Sequence, residues 1–451
     1  MAENSIKSHE YMIIEQSPAL SGEITLDGAK NAVLVIMASL ILAPGKSVLT
    51  NVPVSSDVFQ MIKLLQDLGA EVTFDKEAKR LEVDTTAMRS LPVGADIMQK
   101  MRASILVMGP LLARFGKASV ALPGGCLLGA RPIDFHLRAF VKMGAKIEVV
   151  DEFLHATAPH LQAQQFILEY PSVGATENIM MAAALTNGVT KIINAAIEPE
   201  VLDLITVLRK MGVTIEITPP GTIEIAGAAL LKPIEHAIMP DRLEAGTLLL
   251  AAAVTEGDID IPDAPAEYME VFLEKLSEMG HTVTVGASGR GVKFKATKTP
   301  RAVSFRTMPY PGFPTDLQAP MMVAQCLASG SSTIYETVFE NRLVHVRELQ
   351  KMGAHIVTDG PLIATVKGVD GLYGAQVIAP DIRASAALVI AGLVAQGQTV
   401  MTGLHHFRRG YTRLEDKLTK LGARITVVSD EAINHPTLVK APTPGAIRAE
   451  R

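Results

Sequence analysis

One cysteine stands in a setting that suits chemistry better than packing. Cys126 lies in the segment LPGGCLLGARP, residues 122–132, whose glycines and prolines predict a mobile loop. Such a loop seldom buries its side chains, and the nearby cation Arg131 favours a reactive thiolate. Cys326 instead falls in an apolar helix and is expected to be a small buried side chain. Neither cysteine has the spacing of a metal site, and the loop lacks the phosphate-binding pattern GxxxxGK[ST].

A second set of candidates is formed by charged residues that begin otherwise apolar helices. Such a charge lies 14 or 15 residues before the glycine that ends the helix at Lys30, Arg102, Arg242, Asp316 and Arg383, whereas the third helix has Gly174 there, followed by Thr176 and Glu177. A charge cannot point into an apolar core at tolerable cost, so these side chains must face solvent or a cleft. Asp241 and Asp381 are predicted to be N-caps. Cations at helix N-termini oppose the helix dipole, which predicts an anionic ligand between them.

Two series of glycines reveal the elements that must position these residues. A leucine or methionine followed by glycine ends an amphipathic helix and precedes a period-two strand six times, at Gly69, Gly144, Gly212, Gly280, Gly353 and Gly422. The apolar helices end 23 to 28 residues earlier, at Gly45, Gly116, Gly188, Gly257, Gly330 and Gly397. Each unit therefore predicts strands, a buried helix, a strand, an amphipathic helix and a strand. Six such units favour two globular domains of three units each.

Composition narrows the class of protein. The chain has 451 residues, of which 48% are hydrophobic and 20% are charged, as in a globular protein with a sizeable core. The net charge of −5 is too small for a nucleic-acid wrapper or a polybasic membrane binder, and without tryptophan base stacking is poorly supported. The start, MAENSIKSHEYM, lacks the apolar core of a signal peptide, and the apolar run at 32–44 is too short to span a bilayer. With two cysteines and no disulfide framework, a cytoplasmic protein is expected.

Motifs along nearly the whole chain, from Gly22 to about Val428, carry a family resemblance. They are GAKNA at 28–32, MRAS at 101–104, LPGGCLLGARPIDFH at 122–136, PSVGATENIMMAA at 171–183, EPE at 198–200, PDRLEAGT at 240–247, FPTDLQA at 313–319, ETVFENR at 336–342, DIRASAA at 381–387 and RGY at 409–411. On these motifs the sequence resembles the UDP-N-acetylglucosamine 1-carboxyvinyltransferases of peptidoglycan biosynthesis. The resemblance implies an α/β fold, a two-domain inside-out α/β barrel with six βαβαββ repeats, three per domain. It places the first domain at 30–240, with the cysteine loop, and a discontinuous second domain at 1–29 and 241–451, with the active site in the cleft between them.

The same resemblance implies a reaction. The enolpyruvyl group of phosphoenolpyruvate is transferred to the 3′-hydroxyl of UDP-N-acetylglucosamine by addition and elimination, and phosphate is released. Such an addition needs a proton for the methylene carbon, a base for the attacking hydroxyl, and cations against phosphate and carboxylate. By resemblance Cys126 is the acid and also forms a covalent adduct with phosphoenolpyruvate, whereas Asp316 is the base. Lys30, Arg131 and Arg409 would hold the phosphate and the carboxylate.

The resemblance also assigns two sets of binding residues. The set for phosphoenolpyruvate is Lys30, Asn31, Cys126, Arg131, Arg342, Asp381, Arg383 and Arg409. The set for the nucleotide sugar is Arg102, Arg131, Pro132, Ile133, Asp134, Phe135, Tyr170, Pro171, Ser172, Val173, Asp316 and Val338. Tyr170 departs from the family pattern, since some members have lysine there, which puts a nucleotide phosphate contact in doubt but not the chemistry. No cofactor, metal, nucleic-acid partner or membrane insertion is implied.

Other interpretations of several residues stay open at this stage. Arg342 could be a solvated helix charge, Glu198 could form a local salt bridge, and Asp316 could cap the helix that it begins. Arg408 is expected to be ordinary surface, and the histidines His345, His405 and His406 are expected to be structural or exposed.

Two other functions are considered beside the transferase. The 3-phosphoshikimate enzyme of the same fold has serine where this chain has Asn31, and it has no comparable cysteine loop. A catalytically idle paralogue could bind the nucleotide sugar as a sensor, but the intact set of Lys30, Cys126, Asp316 and Arg409 argues against it. Release of phosphate from phosphoenolpyruvate, with and without the nucleotide sugar, separates these functions.

Overall fold

The strands are short and alternate with helices along the chain. The computed structural model describes residues 10–122 and 133–429. The strands are β1 Tyr11–Glu15, β2 Ser21–Glu23, β3 Lys46–Thr50, β4 Glu71–Asp75, β5 Arg80–Asp84, β6 Lys117–Ala121, β7 Lys146–Val150, β8 Phe153–Thr157, β9 Gln165–Ile167, β10 Val189–Ile193, β11 Thr214–Thr218, β12 Thr222–Ala226, β13 Glu235–Ala237, β14 Asp258–Ile261, β15 Thr282–Val285, β16 Val292–Lys295, β17 Phe305–Arg306, β18 Ser331–Tyr335, β19 His355–Asp359, β20 Ile363–Lys367, β21 Gln376–Ile378, β22 Gln398–Thr402 and β23 Arg424–Val428.

The helices fall into buried and amphipathic types. The α-helices are α1 Lys30–Ser39, α2 Ser56–Asp67, α3 Ala95–Lys100, α4 Met108–Phe115, α5 Asp134–Lys142, α6 Val173–Ala183, α7 Pro199–Met211, α8 Arg242–Val254, α9 Glu270–Glu278, α10 Gln318–Cys326, α11 Val346–Lys351, α12 Ile382–Val394, α13 Leu404–Gly410 and α14 Leu414–Lys420. Short 3₁₀ helices cover Leu40–Leu42, Arg102–Val107, Ala266–Tyr268, Thr315–Leu317 and Arg342–His345. The apolar helices α8 and α12 are buried on every side along most of their length, as their composition predicts.

The described ranges form six small sheets that repeat one topology. In the first, β13 runs parallel to β3, and β5 and β4 follow antiparallel. The sheets built on β10, β14 and β18 have the same order. The second sheet contains β6, β8 and β7, and a parallel bridge between Val93 and Val120 stands where the others have a fourth strand. In the sixth, the N-terminal strand β1 lies between β22 and β23, so the start of the chain completes the last repeat.

The glycines that define the repeat have the backbone conformation that the sequence predicts. The six that follow amphipathic helices all have positive φ, between 90° at Gly353 and 118° at Gly212, a region that glycine enters without steric cost. Gly257 in the other series differs, because Glu256 takes the positive φ of 56° instead. A Cβ on Gly257 would lie 2.5 Å from the carbonyl oxygen of Leu20. Gly257 therefore permits close approach of the N-terminal segment rather than a turn.

The second buried helix differs from its prediction. A single helix is expected from Arg102 to Gly116, but residues 102–107 are 3₁₀ and α4 begins at Met108. Pro110 explains the break, because proline lacks an N–H and its ring clashes with the preceding turn inside an α-helix. Near the start of α4, where amides have no intrahelical partner, Pro110 is tolerated.

Two hydrophobic cores contain the buried helices. One runs from Ala29 to Ile238, and the other comprises Met12 to Leu26 together with Leu243 to Ala423. In the second core α8, α10 and α12 contact one another, and in the first α6 contacts α4 and the 3₁₀ helix Arg102–Val107. We propose that each core is one domain, with limits at 30–240 and at 1–29 plus 241–451. Within the described ranges, no helix is long and apolar enough to cross a membrane.

Candidate active site

Asp57 joins two cations that sequence analysis assigned to phosphoenolpyruvate. Lys30 is the first residue of α1, and its Nζ lies 2.8 Å from Oδ2 of Asp57. Nε of Arg409, in α13, donates to the other carboxylate oxygen at 3.1 Å. Burial alone would raise the pKa of Asp57, but the charges and hydrogen bonds of Lys30 and Arg409 lower it below the ordinary value. Asp57 is therefore a buried, ionised carboxylate between two cations.

Asp316 forms the centre of a second charged cluster. Its Oδ1 accepts from Nη2 of Arg342 at 2.6 Å, and its Oδ2 accepts from Nη2 of Arg383 at 3.2 Å. The two arginine side chains are 3% and 7% exposed, whereas that of Asp316 is 24% exposed. Burial alone would lower the pKa of Arg383, but the negative charge of Asp316 favours the guanidinium, and the pKa of Arg383 is raised. The interpretation of Arg342 as a solvated helix charge is therefore wrong.

The helix caps are formed by other aspartates. Asp241 accepts from the amides of Leu243 and Glu244 at 2.8 and 3.2 Å. Asp381 accepts from the amides of Arg383 and Ala384 at 2.8 and 3.0 Å. Both predicted N-caps are confirmed.

Asp316 does not occupy an N-cap position. The cap positions of the 3₁₀ helix Thr315–Leu317 and of α10 are Pro314 and Leu317. Both carboxylate oxygens of Asp316 point to the arginines described above. The capping interpretation is wrong, and the carboxylate faces a cluster of charges at the helix starts.

A third ion pair connects the two cores. Nε and Nη2 of Arg242, at the start of α8, donate to the two carboxylate oxygens of Glu200 in α7 at 3.0 and 3.2 Å. Glu198 accepts at Oε1 from the amide of Tyr310 at 3.4 Å, and no salt bridge to it occurs within 10–122 or 133–429. Burial raises the pKa of Glu198, and it raises that of the neighbouring Glu177 well above the ordinary value. Glu200, which is paired with Arg242, thus supplies part of the negative charge predicted at the helix starts.

Glu336 links the base candidate to the nucleotide-sugar set. It is 1% exposed, and its Oε2 accepts from Oγ1 of Thr315, the residue before Asp316, at 2.9 Å. Its Oε1 accepts from the amide of Val338 at 2.8 Å. One buried carboxylate therefore holds Val338 beside the 3₁₀ helix that contains Asp316.

The segment Tyr170–Val173 lies at the entrance to α6 and near the same carboxylates. Ser172 caps α6, with its Oγ accepting from the amide of Ala175 at 3.4 Å. Burial, together with the charges of Glu198 and Glu336, raises the pKa of the partly exposed Tyr170. Tyr170, a member of the nucleotide-sugar set in the first half of the chain, is thus close to Glu336, which belongs to the second half.

The remaining predicted residues are placed as follows. Asn31 is exposed in the first turn of α1, and Arg102 begins a 3₁₀ helix. Ile133 precedes α5, whose first residues are Asp134, which pairs with Arg138, and Phe135. The predictions for Cys126, Arg131 and Pro132 concern positions outside the described residues.

Sequence reasoning missed Asp57, Glu200 and Glu336. Glu200 and Glu336 lie within the quoted motifs EPE and ETVFENR, so a signal was present without a role. Asp57 follows two serines at the start of an amphipathic helix, where an acidic residue is ordinarily a helix-end charge. Ser55 caps that helix, its Oγ accepting from the amide of Val58. The role of Asp57 becomes visible only when α13 is placed beside α2.

Comparisons with known proteins agree with this fold. The family described as EPSP synthase (3-phosphoshikimate 1-carboxyvinyltransferase) matches residues 14–418. The crystal structure of the enolpyruvyl transferase NikO from Streptomyces tendae superposes with a TM-score of 0.85 at 25% identity, covering 94% of this chain and 99% of that one. The fold is therefore that of the enolpyruvyl transferases.

Curated relatives narrow the assignment. The UDP-N-acetylglucosamine 1-carboxyvinyltransferase 1 of Caldanaerobacter subterraneus subsp. tengcongensis is 45% identical over 92% of this chain and 98% of its own. The UDP-N-acetylglucosamine 1-carboxyvinyltransferase of Myxococcus xanthus is 46% identical over 92% of this chain and 99% of its own. This chain belongs to the UDP-N-acetylglucosamine 1-carboxyvinyltransferase family, and the resemblance carried by the motifs is confirmed.

Proposed function

We propose that this chain transfers the enolpyruvyl group of phosphoenolpyruvate to the 3′-hydroxyl of UDP-N-acetylglucosamine and releases phosphate, the first committed step of peptidoglycan biosynthesis. The observation that carries the proposal is the carboxylate of Asp316, fixed by Arg342 and Arg383 at the starts of buried helices. Membership of a family of 1-carboxyvinyltransferases supplies the reaction class.

The proposed reaction has two stages. In the addition, the 3′-oxygen bonds to C2 of phosphoenolpyruvate, its proton passes to Asp316, and the methylene carbon C3 gains a proton from Cys126. In the elimination, the bond from C2 to the phosphate oxygen breaks and C3 loses a proton, so the double bond re-forms. Phosphate leaves with the bonding electron pair, and no oxidant or reductant is consumed. A positioned general acid or base of this kind typically raises the reaction rate by about 10²–10⁴-fold.

The cations have complementary roles in this proposal. Lys30 and Arg409 hold the phosphate, where negative charge increases as the C–O bond breaks. Arg342 and Arg383 orient Asp316 and face the substrate carboxylate. Asn31, Asp381 and, by resemblance, Arg131 complete the phosphoenolpyruvate site. Nε of Arg342, which is buried, has no hydrogen-bond partner among the parts of the chain that the structure describes. A buried donor of this kind is costly unless a ligand satisfies it, which supports an anion at this position.

The cellular setting is also proposed. The two substrates are small molecules, and the net charge of −5 supports neither nucleic-acid nor membrane binding. A cytoplasmic location is proposed because the chain has two cysteines and no disulfide framework.

A phosphate-release assay tests the function. Purified protein with phosphoenolpyruvate is expected to release phosphate only when UDP-N-acetylglucosamine is present, with one phosphate for each enolpyruvyl product detected by mass spectrometry. 3-Phosphoshikimate serves as the control acceptor and is expected to give no release. Binding of the nucleotide sugar by calorimetry without phosphate release would favour the idle sensor and contradict the proposal.

A further inference from the structure

Asp57 is the one acidic residue outside the predicted site set that contacts two members of that set within the described chain. It lies in α2, whose apolar residues Val58 and Met61 are fully buried in the first core. Arg409 lies in α13, which packs on the second core. The carboxylate therefore connects a cation of each half of the molecule.

Lys30 needs a negative partner at its position. It begins α1, where the helix has no side-chain N-cap hydrogen bond and no acidic residue in its first turn. A cation at this end opposes the helix dipole, and a second cation, Arg409, approaches from the other core. Without the carboxylate of Asp57 the two cations would repel each other and move apart into solvent.

The side chain of Asp57 is buried at the start of a helix. It is 4% exposed, and it stands in the first turn of α2, whose capping is already supplied by Ser55. One carboxylate oxygen is directed at each cation, Oδ2 at Lys30 and Oδ1 at Arg409. The two cations are thereby joined through one buried carboxylate.

We infer that Asp57 is a positioning residue for phosphoenolpyruvate, which holds Lys30 of the first core and Arg409 of the second core together on one carboxylate. The inference rests on the proposed function. Asp57 itself touches no reacting atom, since its negative charge would repel the phosphate. It acts through its two partners.

Steady-state kinetics of Asp57→Asn tests this role. Because asparagine keeps the shape and loses the charge, kcat/KM for phosphoenolpyruvate is expected to fall by about 30-fold or more, whereas KM for UDP-N-acetylglucosamine changes by less than about threefold. Asp57→Glu keeps the charge but displaces it, and its defect is expected to lie between those of wild type and Asp57→Asn. This second variant also keeps the test usable should Asp57→Asn fold poorly.

A double-mutant cycle distinguishes positioning from general stability. In an Arg409→Met background, Asp57→Asn is expected to cost at least about threefold less in kcat/KM than in wild type, because residues that act together are not additive. Glu415→Gln is the matched control. Glu415 is a similarly buried carboxylate that pairs with Arg408, the neighbour of Arg409, and the substitution removes its charge. Its KM for phosphoenolpyruvate is expected to stay within about twofold of wild type.

The outcomes separate the inference from the function on which it rests. Suppose that the wild type is active. If Asp57→Asn is then as active as the wild type, or is impaired to the same degree toward both substrates, the inference is overturned and the proposed function stands. Full additivity of Asp57→Asn and Arg409→Met would do the same. Wild type that releases no phosphate would overturn both.

Discussion

The two carboxylate clusters have the same composition but different architecture. Each has one aspartate and two cations, yet Asp316, Arg342 and Arg383 all come from the part of the chain that builds the second core. In the other cluster, Lys30 and Asp57 come from the first half and Arg409 from the second. Within the described residues, the two arginines paired with Asp316 therefore come from the same half of the molecule as Asp316 itself. In the Asp57 cluster, the pair of Lys30 and Asp57 lies within one half, and only the contact with Arg409 needs both halves together.

This difference assigns different duties to the clusters. A group that orients a base must be fixed before substrate arrives, and the Asp316 cluster, with arginine side chains at most 7% exposed, is preorganised. Arg409 in the other cluster is 31% exposed and reaches Asp57 from the other core, so that contact depends on how the two cores lie against each other. The site combines a permanent part with a conditional one.

The largest expected effect breaks the permanent part. Asp316→Asn should lower kcat by at least about 10²-fold, because an amide cannot accept the proton of the 3′-hydroxyl. It preserves volume, so the melting temperature and the affinity for UDP-N-acetylglucosamine should move far less. Kinetics and thermal unfolding of the same preparation check this. Near-wild-type kcat would remove Asp316 as the base.

The chain's two cysteines give the next contrast, since one belongs to each half. Cys326 is fully buried, and burial raises the pKa of its thiol to about 12. An alkylating epoxide such as fosfomycin should therefore modify Cys126 at least about 30-fold faster than Cys326. By resemblance, Cys126→Asp should keep activity and lose this sensitivity, because a carboxylic acid still donates a proton but reacts poorly with the epoxide. Peptide mass spectrometry locates the label, and label on Cys326 alone would contradict the assignment.

A pair of matched substitutions sharpens the comparison between the clusters. Arg383→Met should lower the free energy of unfolding by about 2 kcal/mol, because it removes a buried partner of Asp316. Arg409→Met should cost less than about 1 kcal/mol, since its pair is partly exposed, while raising KM for phosphoenolpyruvate about tenfold. Urea unfolding and steady-state kinetics measure both quantities. Equal stability losses would show that both clusters are permanent.

The smallest expected effect is the pH dependence of the Asp57 cluster. Burial opposes ionisation, but Lys30 and Arg409 lower the pKa of Asp57 below its unfolded value of 3.8. The stabilisation from its charge is thus present above pH 3.8 and is lost as the pH falls through the lower folded-state value. The stability difference between wild type and Asp57→Asn should shrink by about 1 kcal/mol between about pH 5 and about pH 3. A constant difference in urea titrations would mean that the charge contributes nothing.

The sequence is informative wherever the signal is local. The repeat could be predicted because each unit ends an amphipathic helix with a glycine whose positive φ a neighbouring strand requires, as at Gly212 and Gly353. The caps Asp241 and Asp381 follow from the same local rules. The buried state of Cys326 follows from its apolar neighbours.

The partners within the site could not be predicted, because they are set by tertiary placement. Asp57 and Arg409 are 352 positions apart, and no local pattern pairs them. Arg342 sits in FENRLVHVREL, a segment that reads as an ordinary charged surface helix. Its guanidinium is buried against Asp316, which lies 26 positions earlier in the chain, and no pattern local to the segment predicts that contact.

The N-terminal strand has a consequence for how the protein is made. Tyr11–Glu15 is synthesised long before both strands that flank it, Gln398–Thr402 and Arg424–Val428. The first core is complete at Ile238 and can fold while translation continues, but the second must wait with β1 unpaired. Throughout that interval the strand offers free edges to any other chain. A nascent chain of this protein is therefore exposed to misassembly at this strand, and a delay in synthesis of the last repeat lengthens that exposure.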